Sequence, residues 1–528
     1  MKKTIEQILE MAVLAHKKGN FQEAEELYRT ILRSNPLHSD TNHNLGVLAV
    51  SFNKFDKAIP FFETAIKSNP DVKQYWLSYI DILIKNKNFV SANKAIEDGK
   101  KNGVFKSEHF QLFFNMAFKQ HEIGKLEEAR ESYMKAIGLQ SNYAQAHNNL
   151  GIVLQEMSKL EEARESYIKA IDLQPDYAEA HNNLGIVFQR MNKLEKARES
   201  YMKAIDLQSD YPEAHFNLGN VLSEIGKTEQ AKDSISYSIK LKPNFTDALI
   251  NRSKLSFDKG EFESALEDLN LCNNQRSRAL ILETLYALGR IEEIYKIIDM
   301  NSELDDRNIR VASFSSFISS VKKKKTSHNF CPDPLSFIYY SNISSQVKDY
   351  KKFITELIDE LNDTEQIWEP YNKSTLRGFQ TPPHINLFES PINKIKQLKL
   401  IILNELDEYF IKFRNNSCSY IKKWPSKKNL NGWQVVLKHQ GYQSPHIHPT
   451  GWLSGVIYLK VVPSLGKDEG SIEFSLNGPN YSDIGSPNLK YHPEIGDIVL
   501  FPSSLHHRTI PFSTDTDRVI ISFDLLPE

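Results

Sequence analysis

Cysteine is scarce, long apolar runs are missing and neither charge dominates, and each shortage removes a class of protein. The three cysteines, Cys272, Cys331 and Cys418, stand far apart and form no CxxC pair. So odd and sparse a set fits a reducing compartment rather than a disulfide framework. No run approaches the roughly 18 apolar residues that a membrane-spanning helix needs. The N-terminal MKKTIEQILEMAVLAHKKGNF has glutamates among its apolar positions and no small-residue cleavage site, so it does not read as a signal peptide. A cytoplasmic protein with no membrane partner is expected. A formal net charge of −2 gives no reason to expect sequence-independent nucleic-acid binding, which needs a basic surface. Nucleotide and acyl-transfer motifs of the GxxxxGK[ST], GxGxxG and GxSxG types are absent as well.

What is present is length and repetition. At 528 residues, with 40% hydrophobic and 11% aromatic residues, the chain exceeds one domain and has ample material for cores. KLEEARESYMKAIGLQSNYAQAHNNLG aligns with KLEEARESYIKAIDLQPDYAEAHNNLG and KLEKARESYMKAIDLQSDYPEAHFNLG, which puts Ala129, Ala163, Ala197, Ala231 and Ala265 34 residues apart. Gly151, Gly185 and Gly219 keep that period, as do Tyr143, Tyr177, Tyr211 and Phe245. Ala24, Ala58 and Ala92 step by 34 as well, out of phase by a three-residue insertion. Each unit reads as two short helices. The Ala and the Leu-Gly pair allow close approach, the aromatic fills the space between units, and Pro36, Pro70, Pro175 and Pro243 stop the second helix.

The period and its residues resemble the tetratricopeptide repeat, with about eight units over residues 5–270 and a shortened ninth, YALGRIEEIYKI, as a cap. The resemblance implies an all-α solenoid whose groove holds a protein or peptide segment. Asn148, Asn149, Asn182 and Asn183 of the HNNLG motifs fall on the helix that lines the groove in that family. They are candidates to pair with a peptide backbone there, or else solvated helix positions.

Near residue 300 the period stops. Residues 301–345, with the lysine run Lys322–Lys325 followed by Pro332 and Pro334, read as a linker between a solenoid at 1–300 and a second domain at 346–528. In that domain SPINKIKQLKLIILNELDEYFIKF has helical spacing. WQVVLK, LSGVIYLKVV, SIEFSL, DIVLF and RVIISFDLL are short β-rich runs broken by Gly, Pro, Asn and Ser. That pattern indicates a β-barrel or sandwich with a helical preface.

Three features of the β-domain combine. His446-Ile447-His448 precedes a strand, His506 and His507 follow another, and Arg518 opens the last strand eleven residues after His507. In an extended segment residues i and i+2 share a face, so both imidazoles of an HxH pair can hold one ion. Imidazole suits Fe, Zn, Cu or Ni, and an arginine near the third ligand can bind a carboxylate through two hydrogen bonds. His439 and His492, taken singly, read as polar surface.

The arrangement resembles the 2-oxoglutarate/Fe(II)-dependent oxygenases, whose motif is HxD/E…H with a basic residue about ten positions on. The match covers roughly 345–528 and is closest over Asn431–Leu526. It looks most like a bacterial subgroup often fused to tetratricopeptide repeats. The resemblance implies a double-stranded β-helix (jelly-roll) fold, Fe(II), 2-oxoglutarate as co-substrate and ascorbate as an accessory. It also implies hydroxylation of a C–H bond coupled to oxidative decarboxylation. Carried over, His446 is the first metal ligand and His507 the distal one, His507 being preferred to His506 because Phe501 through Pro511 match FPS-x-L-x-H-x-x-x-P. Arg518 takes the place of the residue that binds the far carboxylate of 2-oxoglutarate, with Tyr458 assisting and Ser522 on the same strand face.

The departure is His448, where the superfamily has Asp or Glu. A neutral imidazole there leaves the site one positive charge higher. His448 either completes a three-histidine site, or turns away from a two-histidine site, or marks a dead one. Three functions follow: an oxygenase acting on a protein or peptide presented by the repeats, a repeat scaffold with a degenerate β-domain, and a cupin-type three-histidine metalloenzyme that does not use 2-oxoglutarate.

Overall fold

Small residues set the spacing of the repeat helices. A methyl group on Gly46 would lie 2.7 Å from the Phe62 ring, and one on Gly151 or Gly185 would lie 2.6 Å from Tyr167 or Tyr201. Only glycine therefore lets those helices meet. Ala129, Ala163 and Ala197 are fully buried on the partner helices. The second helices Phe21–Ser34, Phe55–Ser68 and Leu160–Leu173 each end two residues before a proline, as a ring without an N–H requires.

The computed structural model describes residues 3–105, 109–272, 274–370, 373–463 and 468–528. Among them, helical hairpins of the tetratricopeptide type run from Ile5–Lys17 to Ile291–Met300. No helix among the described residues is long and apolar enough to cross a membrane. Two compact units divide the chain, Met1–Ser234 and Ile235–Glu528. The second unit contains the last hairpins, Thr246–Asp258 with Phe262–Asn270 and Gln275–Ala287 with Ile291–Met300, together with the β-domain.

The segment 301–345, expected as a linker, carries the helix Ile309–Lys322, buried without a break from Val311 to Ile318. The lysine run and the two prolines beyond it gave the segment its linker-like composition. In place, Ser316 Oγ lies 3.0 Å from the carbonyls of both Ala312 and Cys331, which share its one O–H, and Ser313 lies 3.0 Å from His506 Nδ1. Hydroxyls that bond to carbonyls in this way are compatible with a buried helix. Tyr481, from the β-domain, packs on the helix with ring centroids 5.0 Å from Phe314 and 4.7 Å from Phe317. The same segment ends in a strand, β1 (Tyr339–Asn342).

The remaining strands are β2 (Ile367–Trp368), β3 (Thr375–Gln380), β4 (Leu430–Gln443), β5 (Leu453–Lys460), β6 (Ile472–Ser475), β7 (Asn488–Tyr491), β8 (Asp497–Pro502), β9 (His506–Thr509) and β10 (Arg518–Leu525). All pair antiparallel, in a seven-stranded sheet of order β1-β8-β5-β10-β4-β3-β2 and a three-stranded sheet of order β7-β6-β9. This is a jelly-roll arrangement. The helices Tyr350–Leu361 and Asn393–Phe413 contribute Leu357, Leu398 and Ile402 to one core with Ile457, Ile521 and Phe523 of the large sheet.

Strand parity then places the chemistry. Along β10, Val519, Ile521, Phe523 and Leu525 join that core, so Arg518, Ile520, Ser522 and Asp524 face the other way. Gly455 of β5 permits this packing, since a methyl group there would lie 2.2 Å from the Phe523 ring.

Candidate metal centre

Two backbone hydrogen bonds bring the distant histidines together. The His446 N–H donates to the His507 carbonyl and the His507 N–H to the His446 carbonyl, both at 3.1 Å. The His448 N–H donates to the Ser503 carbonyl, also at 3.1 Å. Between the two, Ile447 packs on the core of the large sheet. Both imidazoles of the HxH pair therefore point the other way, towards His507. The ring centroids of His446, His448 and His507 stand 5.2, 4.3 and 5.0 Å apart in the three pairings. One ring nitrogen from each lies within 4.8 Å of the others, a grouping able to hold a metal ion. Trp433 beside His448 and Phe501 beside His507 hold two of the rings, with centroids at 5.5 and 4.6 Å.

Hydrogen bonding at Nδ1 selects Nε2 as the ligand nitrogen, which in His446 lies 3.4 Å from the Ser374 hydroxyl, a group able to donate to its lone pair. Nδ1 of His446 bonds the Ser444 carbonyl at 2.7 Å, Nδ1 of His507 the Leu505 carbonyl at 3.2 Å, and Nδ1 of His448 the Asp524 carboxylate at 2.6 Å. A carbonyl or an ionised carboxylate can only accept, so each Nδ1 carries a proton. In a neutral ring this leaves Nε2 as a lone pair, the state a metal ligand needs. Burial, and then the neighbouring His448, push the basicity of His446 down to about 3. Burial likewise holds His507 well below the ordinary range, with His446 and His448 adding to the effect. Both rings are neutral at physiological pH.

Asp524 is the residue that sequence reasoning missed. It is 5% exposed, and Oδ1 accepts from Ser454 at 2.7 Å as well as from His448. The Ser454 hydroxyl also lies 2.8 Å from that of Ser503. Gly451 leaves room for this network, since a methyl group there would lie 2.6 Å from Ser503 Oγ and 3.0 Å from Asp524 Cγ. The signal was parity: Asp524 lies an even number of residues beyond Arg518 and Ser522 on one strand.

Behind the histidines is a pocket lined by Tyr458, Thr509, Arg518 and Ser522. Arg518 is 1% exposed; Nη1 donates to Thr509 Oγ1 at 3.0 Å, and Nε has no partner. No carboxylate among the described residues forms an ion pair with it. The guanidinium lies 5.1 Å from the Tyr458 ring centroid, and the buried Tyr458 hydroxyl is also unpartnered. Burial raises that phenol to about 12 and lowers the basicity of the guanidinium. The pocket therefore presents buried donors that lack an acceptor.

The other sequence candidates are placed as follows. His506, one residue from His507, points to the opposite face and meets Ser313. His439 is half-exposed, 3.5 Å from Asp515. His492 Nδ1 lies 3.1 Å from Ser471 Oγ. Of the four asparagines expected to line the groove, Asn148 and Asn182 are buried, at 0% and 4% exposure. The Asn148 amide donates to Glu179 at 3.3 Å and its oxygen accepts from Asn183 at 3.2 Å, while Asn182 accepts from Asn217 at 3.0 Å. Asn149 donates to the Tyr133 hydroxyl at 3.4 Å. These side chains join one repeat to the next, and for Asn148 and Asn182 burial replaces the open groove position that the sequence suggested.

Residues 431–524, which include all three histidines, Tyr458, Arg518 and Asp524, match the family described as "Putative 2OG-Fe(II) oxygenase". Tetratricopeptide-repeat families match 15–78, 120–158, 142–210 and 200–233. Curated proteins include none that matches. Similar solved structures include PilF of Pseudomonas aeruginosa, at 22% identity over 39% of this chain and 96% of that one, TM-score 0.35. PilW, a type IV pilus biogenesis factor, is 18% identical over 39% and 97%, TM-score 0.36. YrrB, a repeat protein with an unusual peptide-binding site, is 21% identical over 35% and 95%, TM-score 0.28. From its family matches, the chain is a tetratricopeptide-repeat protein whose C-terminal part carries a domain of the family described as "Putative 2OG-Fe(II) oxygenase".

Proposed function

We propose that the second unit is an Fe(II)- and 2-oxoglutarate-dependent dioxygenase that hydroxylates a side chain of a protein or peptide brought to it by the repeats. The observation that carries this reading is Arg518, a fully buried cation with an unpartnered Nε beside the unpartnered Tyr458 hydroxyl. Burying a charge without its opposite costs several kcal/mol. A dicarboxylate ligand would supply the missing anion and accept from both groups.

In this reading His446, His448 and His507 offer Nε2 to Fe(II), and Arg518 with Thr509 and Tyr458 holds the far carboxylate of 2-oxoglutarate. The bound metal and co-substrate supply dioxygen activation coupled to oxidative decarboxylation. The protein's own part is to fix three neutral imidazoles through their Nδ1 protons and to keep one cation dry for the co-substrate. Free space in the Arg518 pocket is only about 20 Å³. Co-substrate binding in this reading therefore requires the side chains that line the pocket to rearrange. The cleft on the other side of the histidines, about 350 Å³ and lined by Lys373, Thr381, Trp433 and Asp524 among others, is where a substrate side chain would enter.

A three-histidine metalloenzyme that does not use 2-oxoglutarate fits the imidazoles equally well, but it leaves Arg518 with no counter-charge. The deciding experiment is anaerobic titration of the Fe(II)-loaded protein with 2-oxoglutarate. The oxygenase reading requires a metal-to-ligand charge-transfer band that Arg518→Ala shifts to much higher co-substrate concentration. Fe(II) binding without any such band would leave the three-histidine alternative standing in its place.

A further inference from the structure

Three cations crowd one cleft of the second unit with little to balance them. Lys254 on Thr246–Asp258, Arg276 on Gln275–Ala287 and Arg310 on Ile309–Lys322 come from the first helices of successive pairs and face a common cavity of about 330 Å³. None of the three makes an ion pair or a side-chain hydrogen bond among the described residues. The acid among them is Glu283, whose Oε2 accepts from Asn480 at 2.7 Å. Burial pushes its carboxyl up, against the hydrogen bond from Asn480 and the nearby Arg310 and Lys254, and it is one acid facing three cations. Asp258 lines the neighbouring cavity. Lys254 and Arg310 both lose basicity, first to burial and then to the like charges around them. Lys254 keeps contact with water, so the cleft is open to solvent although its walls are crowded.

The cleft does not end there. It shares Lys254, Leu280, Glu283 and Asn480 with a second cavity of about 290 Å³, and His446, Ile447 and Pro449 with the cavity over the metal centre. Three neighbouring spaces lined in part by the same residues lead from the cations to His446, an arrangement that suits an extended chain better than a small anion. Like charges brought together without counter-ions are unfavourable, and an anion that neutralises them gains both the attraction and the relief of that repulsion.

We propose that Lys254, Arg276 and Arg310 form the binding site for an acidic side chain of a peptide substrate, holding an extended segment so that it runs past His446. The site deepens the oxygenase reading by naming its substrate class, and rests on it only for what happens at the metal end. Arginine contributes two hydrogen bonds to one carboxylate, so one or two Glu or Asp residues on the segment are enough to fill the triad.

Binding is tested on the full chain without metal or co-substrate, so that failure of the oxygenase reading and failure of this site are told apart. The probes are a short fluorescein-labelled peptide alternating Glu and Ser and its counterpart with Gln for Glu, followed by fluorescence anisotropy. The Glu peptide should bind at least about tenfold more tightly, with an affinity that falls as salt rises. Arg276→Gln with Arg310→Gln should remove the preference, and Lys254→Gln alone should weaken it. Lys323→Glu, in the exposed lysine run, should leave it unchanged. Circular dichroism of the double variant guards against loss of fold, and the single Lys254→Gln variant serves if the double one unfolds. Equal binding of the two peptides, undiminished binding by the variants, or displacement by a single-stranded oligonucleotide more readily than by unlabelled Glu peptide would each overturn the proposal.

Discussion

His448 Nδ1 lies 2.6 Å from Asp524 Oδ1, so the carboxylate absent from the HxH motif stands one imidazole further out. The oxygenase pattern expects an anion at position 448. With a metal bound in the proposed site, the negative charge would reach it through a ring, in the carboxylate–histidine–metal arrangement that orients a ligand and raises its basicity. Asp524→Asn should therefore weaken metal binding about 10–100-fold. The asparagine amide can also donate to Nδ1, which would place the ring proton on Nε2 and block the lone pair. Anaerobic titration with Co(II), followed by its visible absorption, measures the loss. Unchanged affinity would reduce Asp524 to a packing residue.

Arg518 is expected to make the apo protein less stable than it could be. Its charge is buried against the Tyr458 ring with a threonine hydroxyl as hydrogen-bond partner and no counter-ion among the described residues, and apolar replacements of poorly compensated buried charges are often neutral or stabilising by about 1–4 kcal/mol. Arg518→Met should leave the apo melting temperature unchanged or higher while raising the 2-oxoglutarate concentration needed for saturation more than about tenfold. Thermal melts with and without co-substrate read both effects. A variant much less stable in the apo form would show that the guanidinium is needed for packing.

The repeats were legible because their physical demands recur: a glycine under each aromatic ring and an alanine at each helix crossing leave a period in the sequence. His446 and His448 were legible from spacing and strand parity, His507 was preferred to His506 only through the family resemblance, and the three rings stand together in the structure. Asp524 was not singled out because an acid inside a strand has no motif, although its parity with Arg518 was on view. The helix Ile309–Lys322 escaped for a different reason. Buried on every face from Val311 to Ile318, it shows no amphipathic period, and the lysine run and prolines that follow it read as a linker. The strands β2, β3, β7 and β9 are short, and pairing with neighbours rather than a pattern of their own defines them.

Acid should begin to destabilise the second unit at a pH where its carboxylates are still ionised. His328 is 3% exposed, its Nε2 lies 2.8 Å from the Asp305 carbonyl, and burial lowers its basicity from the ordinary 6.5. The unfolded chain therefore takes up a proton at a pH where the folded one does not. The resulting stability is fully present above about 6.5 and is lost as pH falls through and below that value. Urea unfolding of the metal-free protein at a series of pH values, followed by tryptophan fluorescence, tests this. His328→Gln, whose amide can still donate to the Asp305 carbonyl, should make the slope shallower. A slope as steep as that of the wild type would assign the acid sensitivity to other groups.

Asn148 separates a structural ladder from a peptide-binding groove. Its side chain is fully buried, donates to Glu179 and accepts from Asn183 of the next repeat. Removing it takes a hydrogen-bond partner from Asn183 and from the solvent-exposed Glu179, a loss of about 0.5–1.5 kcal/mol. Asn148→Ala should therefore lower the unfolding free energy of the solenoid by that amount, read from its denaturant transition. The acidic-peptide affinity of the second unit should stay the same, because the side chains that bind the peptide there are Lys254, Arg276 and Arg310. The opposite pattern, unchanged stability with weakened peptide binding, would return Asn148 to the groove.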